Sequence, residues 1–107
     1  MKLKDLDKMI ESQNKFNEFM GSIERKVIVL DEYDCRHIKF KNVKELIKHF
    51  SETFYGELTK ETELYNDNGY IKFDVEYQTN DWNGKEFVKV TEKATYSIYI
   101  DEIQVWN

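Results

Sequence analysis

The sequence predicts an α+β protein in which two α-helices pack on one face of an antiparallel β-sheet of about five strands, in the order α-β-β-α-β-β-β. Three observations support this prediction: a helical apolar periodicity near the N-terminus, a helix-start signal at Asn42, and a long alternating pattern around Asn83-Gly84. The chain has 107 residues, of which 40% are hydrophobic and 15% aromatic. This much apolar area can offset chain entropy, so we expect a single folded domain over residues 1–107.

The first predicted helix runs from about Lys2 to Met20. Its apolar residues recur at steps of three and four, which predicts a face packed on a sheet, with a partner-binding face as the alternative. Asp5 and Asp7 suit the positive end of the helix dipole, and Gly21 marks the helix end. The stripe consists of Leu3, Leu6, Met9, Ile10, Gln13, Phe16, Phe19 and Met20.

Two short strands are expected next. Residues 27–30 are a run of Val, Ile, Val and Leu, which is typical of a strand buried on both faces. Residues 37–40 predict the second strand, and the polar residues 31–36 predict a hairpin loop between the two.

The second predicted helix has a clear beginning. Asn42 is a good N-cap residue, and Glu45 follows at the capping-box spacing. Val43, Leu46, Ile47, Phe50 and Phe54 then fall on one face, and Gly56 ends the helix or begins its exit. Residues 57–66 fit either a helical turn or a short strand leading into an Asn68-Gly69 turn.

A long hairpin is predicted from about Tyr70 to Ile100, with Asn83-Gly84 as a two-residue turn and Trp82 opposite Lys85. This register collects apolar residues on one face, as the two-residue period of a strand requires. The apolar pairs are Ile71 with Tyr96, Phe73 with Ala94, Tyr77 with Val90 and Thr79 with Val88. The polar pairs are Lys72 with Thr95, Asp74 with Lys93 and Gln78 with Lys89.

Two places break the alternation. Glu92 falls opposite Val75 on the apolar face, which predicts a bend, a bulge or an edge where that face meets water. The last residues move the apolar positions to Ile103 and Val105, which predicts a bulge near Asp101-Glu102. We expect this tail to continue the strand and to pair with residues 26–30.

The net charge of −5 is unevenly distributed. Residues 1–50 carry 11 Lys/Arg and 9 Asp/Glu, whereas residues 51–107 carry 5 Lys and 12 Asp/Glu, a net of −7. An acidic surface disfavours contact with nucleic-acid phosphates and favours a basic partner or plain solubility. No apolar run approaches the length of a membrane span, and the N-terminal ten residues are too charged for a signal peptide. A single cysteine excludes an internal disulfide. We therefore expect an intracellular protein.

Catalytic and metal-binding signatures are weak. "DEYDCRH" brings Asp31, Glu32, Asp34, Cys35 and His37 close in sequence, but structural zinc requires four ligands, usually with paired Cys or His. Cys35 and His37 also lack an identifiable third group that would orient a nucleophile pair. Paired carboxylates of the glycosidase type need a cleft that a chain this short rarely builds. We expect no enzymatic activity, no cofactor and no metal.

Exposed aromatics beside acidic residues point instead to a protein interface, because Tyr and Trp are enriched in binding hot spots. The preferred hypothesis is a non-enzymatic protein whose acidic face engages a basic, nucleic-acid-handling protein. Trp82 beside the hairpin turn is expected to be exposed. The predicted partner-binding residues are Phe54, Tyr55, Glu57, Glu61, Glu63, Tyr65, Asp67, Asp81 and Trp82.

In size, charge and architecture the chain resembles the small acidic inhibitors encoded by phages and mobile elements, of which anti-CRISPR proteins are one group. The resemblance rests on no motif, so it transfers no functional residue. It implies a protein of the cytoplasm of a bacterial host that blocks a nuclease, in this group often by occupying its nucleic-acid channel. The same traits resemble immunity proteins that neutralise nuclease toxins, and the sequence does not separate the two.

Two other classes stay open. A phage assembly or structural oligomer would bury a sheet edge between copies. A direct nucleic-acid binder would use the lysines of "KFKNVKELIKH", although the acidic chain disfavours this. Those lysines are Lys39, Lys41, Lys44 and Lys48.

Overall fold

The computed structural model describes residues 1–32, 36–53 and 56–104, with Glu32 described in its backbone alone. The described residues form two helices, α1 (Leu3–Phe19) and α2 (Val43–Thr53). They also form five strands: β1 (Glu24–Glu32), β2 (Arg36–Phe40), β3 (Tyr65–Asp67), β4 (Tyr70–Trp82) and β5 (Phe87–Gln104). The strands make one antiparallel sheet in the order β2-β1-β5-β4-β3. The predicted fold class and element order are confirmed. Neither helix is long and apolar enough to cross a membrane.

The core lies between the two helices and one face of the sheet. Alternate residues of the strands point into it, including Ile28, Leu30, Phe73 and Ile98, each at most 2% exposed. At its centre the ring of Phe50 from α2 makes T-shaped contacts with Tyr96 and Phe73, at centroid distances of 5.1 and 5.7 Å. Buried aromatic contacts of this kind add about 0.5–1.5 kcal/mol beyond the area they bury. They fix α2 against the centre of the sheet.

Helix α1 buries a narrower stripe than the sequence predicts. Leu3, Leu6 and Ile10 are buried as expected, and the stripe continues through Asn17. The other large apolar residues of the predicted stripe were wrongly placed in the core. The buried positions follow steps of three and four from Leu3. At 100° per residue the remaining side chains point roughly 70° to 170° away from the middle of the buried stripe, and they face solvent. These exposed residues are Met9, Phe16, Phe19 and Met20.

Two asparagines of α1 close the exposed edge of β1. Strand β2 pairs with β1 from Ile28 onward, so within the described chain the edge of residues 24–27 has no strand beside it. The Asn14 side chain accepts a hydrogen bond from Lys26 N at 2.7 Å and donates one to Lys26 O at 3.3 Å. The amide of Asn17 donates to Glu24 O at 3.1 Å. The helix thereby covers an edge that would otherwise be open to another chain.

The start of α2 is capped as predicted and also from α1. Glu45 N donates to Asn42 Oδ1 at 2.9 Å, as the predicted N-cap requires. The Glu45 carboxylate accepts from Lys41 N at 2.8 Å, one residue before the amide that a capping box would use. Val43 N donates to Asp7 Oδ1 at 2.8 Å, which places a carboxylate of α1 at the positive end of α2. Phe54, predicted on the core face of α2, lies outside the described residues.

The hairpin register differs from the prediction by two residues. Trp82 pairs with Phe87 instead of Lys85, and Asn83–Glu86 form a four-residue loop. A shift of two residues keeps every side chain on its predicted face, which is why alternation alone could not detect it. The predicted apolar and polar pairs are therefore replaced by neighbours two positions away, such as Ile71 with Ile98 and Asp74 with Thr95.

The described ladders contain no bulge. The bulge predicted near Asp101-Glu102 is therefore wrong, and at Glu92 the observed alternative is a face that meets water. Strands β4 and β5 pair without interruption from Ile71 to Trp82, so Glu92 lies opposite Tyr77 and is exposed where that face meets water. Strands β1 and β5 also pair without interruption, with Asp101 opposite Val27 and Glu102 opposite Lys26. The tail continues β5 and pairs with β1 as predicted, but in a shifted register. Residues 101–104 pair with residues 24–27, whereas residues 26–30 were predicted.

Strand β1 is buried on both faces, as its β-branched run predicts. Ile28 and Leu30 face the helices, and Val27 and Val29, on the opposite face, are 3% and 0% exposed. Of the ambiguous residues 57–66, Tyr65 and Asn66 belong to the short strand β3. That strand leads into a tight turn in which both Asn68 (φ 53°) and Gly69 (φ 87°) adopt left-handed conformations.

Candidate functional site

The distal halves of β4 and β5 form an arm that projects from the body of the protein. Within the described chain, β3 pairs only with Tyr70–Lys72 of β4, and β1 pairs only with residues 97–104 of β5. The ladder between Tyr77–Trp82 and Phe87–Glu92 is therefore two strands wide. The molecule measures 64 × 27 × 23 Å, an elongation that this arm produces together with the length of β5. We call residues 77–92 the arm.

The Asn83 side chain organises the loop at the tip of the arm. Its Oδ1 accepts hydrogen bonds from Lys85 N at 2.9 Å and from Glu86 N at 3.0 Å, and its backbone N donates to Glu86 O at 3.1 Å. An asparagine that bonds backbone groups two and three residues ahead stabilises a turn without help from the rest of the chain. The tip is thus defined locally.

Trp82 and Phe87 form an exposed aromatic pair directly behind this loop. They are opposite each other in the ladder, with ring centroids 5.2 Å apart and an interplanar angle of 63°. Trp82 is 56% exposed and Phe87 is 71% exposed. The predicted exposure of Trp82 is confirmed. Phe87 was missed because the two-residue turn placed it opposite Asn80; a four-residue loop would have paired the two rings.

An open cleft of about 510 Å³ lies where the arm leaves the body. Glu57 approaches the arm closely, and its N donates to Glu76 O at 3.4 Å. Both glutamates are exposed, and no cationic side chain lines the cleft among the described residues. The described lining is Phe50, Ser51, Gly56, Glu57, Glu76, Tyr77, Gln78 and Thr91.

The predicted partner-binding residues lie in separate places. Asp81 and Trp82 are at the tip of the arm, and Glu57 is at its base. Tyr65 and Asp67 lie on β3, at an edge of the sheet. Phe54 and Tyr55 lie outside the described residues. Glu61 and Glu63 belong to the segment beside the first turn of α1, where Glu63 forms an isolated bridge with Lys2.

Several of these acids are paired within the chain. The Glu61 carboxylate accepts hydrogen bonds from Lys2 Nζ and Lys4 Nζ, both at 2.8 Å, and these bonds lower the pKa of Glu61 to about 2. Asp67 pairs with Lys72 at 2.9 Å, and this hydrogen bond raises the pKa of the lysine. Glu61 and Asp67 therefore offer less free charge to a partner than the sequence suggests.

The sheet face opposite the helices carries a polar network centred on Asp74. Its carboxylate accepts hydrogen bonds from Thr95 Oγ1 at 2.7 Å and from the Tyr65 hydroxyl at 2.8 Å, with Lys93 Nζ at 3.3 Å. The bond from Thr95 is the largest cause of a lowered pKa of Asp74. The bond to Asp74 in turn raises the pKa of Tyr65. This arrangement orders the surface and leaves the Tyr65 ring 41% exposed.

The candidate chemical groups that the structure describes do not converge. His37 Nδ1 lies 3.8 Å from Asp31 Oδ1, and Asp34 and Cys35 lie outside the described residues. Within the described ranges no three His, Cys, Asp or Glu side chains are placed to hold a metal ion. The lysines of the predicted basic cluster are also divided, since Lys39 faces away from the helices on β2, while Lys48 on α2 pairs with Glu52 at 3.8 Å.

Comparisons with known proteins do not place the chain in a family. No family model matches it, and neither a curated protein nor a solved structure is similar at a significant level. Among the described residues, the exposed aromatic pair at the tip of the arm is the feature most typical of a binding surface.

Proposed function

We propose that this chain is a non-enzymatic protein-binding inhibitor that docks through the tip of its arm on a basic, nucleic-acid-handling protein, in the manner of an anti-CRISPR-like nuclease inhibitor. The observation that carries the proposal is the exposed pair of Trp82 and Phe87 at the end of a two-stranded projection. Trp is among the residues that most often dominate binding energy when a partner pocket buries it. A narrow arm can reach a recessed site, such as a nucleic-acid channel, that the wider body cannot enter.

The architecture of the arm also supports a binding role. A two-stranded ribbon is only marginally stable in water on its own, and its outer edges have no strand beside them within the described chain. A ribbon that served only the fold would be expected to pack against the body. Contact with a partner would stabilise both the ribbon and its aromatic tip.

The charges of the arm favour a basic partner. Glu76 and Glu57 line the cleft at its base, and Asp81, Glu86 and Glu92 lie along its length. Residues 76–92 contain four acidic residues and two lysines, Lys85 and Lys89, so the formal charge of this segment is −2. Complementary charge steers association and fixes orientation more than it sets affinity.

The test is capture from a lysate that contains candidate nucleases, followed by an activity measurement with purified components. We expect a stoichiometric partner with a basic surface whose cleavage or nucleic-acid binding is inhibited by the wild-type chain. Trp82→Ala should abolish capture and inhibition, while its free energy of unfolding changes by less than about 1 kcal/mol because the ring is exposed.

Tyr70→Ala provides the matched control, since Tyr70 is 65% exposed but lies at the other end of β4. It should inhibit like the wild type. Inhibition that survives Trp82→Ala and Phe87→Ala would show that the tip is not the docking element, and a captured protein whose activity is unaffected would rule out the inhibitor function.

A further inference from the structure

A second apolar surface lies on α1, away from the arm. Four large side chains of the helix face solvent: Met9 (51% exposed), Phe16 (58%), Phe19 (87%) and Met20 (64%). Ile23, 43% exposed, follows between the end of α1 and the start of β1. We call these five residues the α1 stripe. Exposed large apolar residues are usually scattered singly, so a continuous group on one helix indicates a contact surface.

The centre of the stripe carries no charged side chain. At 100° per residue, Met9, Phe16 and Met20 project within about 40° of one another, and the neighbours that flank them, Ser12 and Gln13, are uncharged. Glu11 and Glu18 project from a third side, away from both the stripe and the buried face. Lys8 and Lys15 lie within about 40° of Phe19 at the margin of the stripe, where their ammonium groups can stay in water. Burying a charge without a partner is costly, so a surface free of charge suits a dry interface.

The area of the stripe fits one half of a stable dimer. With about 200 Å² for each large side chain, the exposed fractions correspond to roughly 600 Å² of apolar surface. A standard interface buries about 800 Å² on each partner, including a polar rim. The aliphatic parts of Lys8, Gln13 and Lys15 around the stripe can supply the remaining buried area.

The position of Phe16 favours pairing of the stripe with itself. Phe16 lies midway in sequence between Met9 and Ile23, the two ends of the stripe. Two-fold pairing of antiparallel helices about this point would place Phe16 against its own copy, with Met9 of each chain near Met20 and Ile23 of the other. Such isologous pairing closes after two copies and is the commonest symmetry of soluble oligomers.

We propose that two copies of this chain form a two-fold dimer through the α1 stripe. Asn14 and Asn17 anchor α1 beside Lys26 and Glu24, which pair with Glu102 and Gln104 at the end of β5 remote from Phe87. The interface therefore lies far from the tips of the arms. The dimer presents two free arms, so it can engage two partner molecules or two sites at once, with the gain in avidity that linkage provides.

Solution mass over a dilution series tests the dimer. The wild-type chain is expected at twice 13.0 kDa at high concentration and to dissociate on dilution. Phe16→Lys places a charge at the centre of the stripe and should halve the mass without unfolding the chain, because the ring is already exposed. Phe87→Lys is the matched control, since it makes the same change at an exposed ring of the arm and should leave the dimer intact.

Disulfide trapping tests the two-fold geometry. In a Cys35→Ser background, Phe16→Cys should oxidise to a covalent dimer, whereas Tyr70→Cys should stay monomeric at the same concentration. A wild-type chain that is monomeric at every concentration would overturn the proposal, and flotation of that monomer with lipid vesicles would assign the stripe to a membrane surface. Loss of the dimer in Phe87→Lys, or a mass that keeps growing with concentration, would show head-to-tail contact instead.

Discussion

Gly56 controls how closely the chain approaches the base of the arm. Its φ of +127° lies in a region that side-chain-bearing residues rarely adopt, and a Cβ there would lie 2.9 Å from Glu76 O and 3.2 Å from the Val75 side chain. Both obstacles belong to β4, whose backbone cannot move without disturbing the ladder with β5. The glycine therefore places Glu57 beside Glu76, where the two carboxylates line the cleft.

Gly56→Ala should destabilise the protein by at least about 1 kcal/mol more than Gly21→Ala, as judged by urea unfolding. Gly21 is a suitable control because it also has a positive φ, +74°, but a Cβ on it would meet no other atom within 4 Å. Left-handed strain alone costs about 1–2 kcal/mol, so equal losses would mean that the contact with β4 relaxes freely.

Glu61 holds the segment around it against the start of α1 through ion pairs with Lys2 and Lys4. Leu3 N and Lys4 N donate to the carbonyl oxygens of Thr62 and Lys60, so the loop around Glu61 satisfies the first free amides of α1. The hydrogen bonds of the Glu61 carboxylate to Lys2 and Lys4 reinforce this docking and lower its pKa from 4.5 to about 2.

The pH dependence of stability should reveal this contact. A carboxylate whose pKa is lower in the folded state stabilises the fold above its unfolded pKa of 4.5, and the contribution is lost as the pH falls towards 2. Glu61→Gln should therefore be less stable than wild type at pH 7, and the difference should shrink between pH 5 and about pH 2. Because the ion pairs of Glu61 are exposed, high salt should also reduce the stability difference between wild type and Glu61→Gln. A difference that is independent of pH would show that the charge is not what matters.

At the scale of the elements, α1 has two surfaces besides its charged side. One packs on the core and includes the side-chain amides of Asn14 and Asn17, which close the edge of β1. The other is the α1 stripe. A helix with two apolar surfaces reads in sequence as one broad stripe, and this is why Phe16 and Met9 were predicted to be buried with Leu6 and Ile10.

Asn14 is the residue that tests the edge-closing role of α1. Asn14→Ala removes both hydrogen bonds to Lys26 and leaves the two backbone groups without their partner, so we expect a loss of about 1–3 kcal/mol in thermal or urea unfolding. Asn14→Asp keeps the acceptor for Lys26 N but loses the donor to Lys26 O, and should lose less. An alanine variant as stable as the wild type would indicate that water replaces the amide without cost.

At the scale of the whole molecule, the arm makes the protein elongated. The radius of gyration is 16.9 Å, whereas a compact chain of this length is expected near about 13 Å. The difference arises because β4 and β5 continue past the level at which the helices and the neighbouring strands end. The aromatic tip is thereby held away from every other described part of the surface.

Small-angle X-ray scattering checks this shape. The dilute Phe16→Lys variant, which should be monomeric, is expected to give a radius of gyration close to 16.9 Å and a maximum dimension consistent with the long axis of 64 Å. A value near about 13 Å would mean that the arm folds back on the body in solution, and Trp82 would then be unavailable to a partner.

Periodicity in the sequence was enough to establish the fold class, the order of the elements and the face on which each hairpin residue lies. It carries this information because a strand alternates every two residues and a helix repeats every 3.6. The α2 cap and the exposed Trp82 could also be predicted, since a cap depends on neighbours in sequence and Trp82 stands beside a turn signal.

The remaining features depend on how the elements pack together. The hairpin loop has four residues instead of two. Both loop lengths give the same alternation of apolar and polar residues, so the sequence pattern does not distinguish them. Which apolar residues of α1 are buried depends on the direction from which the sheet approaches the helix. The pairing of Glu61 with Lys2 and Lys4 joins residues far apart in the chain. Contacts of this kind depend on distances between elements, and a one-dimensional pattern does not contain them.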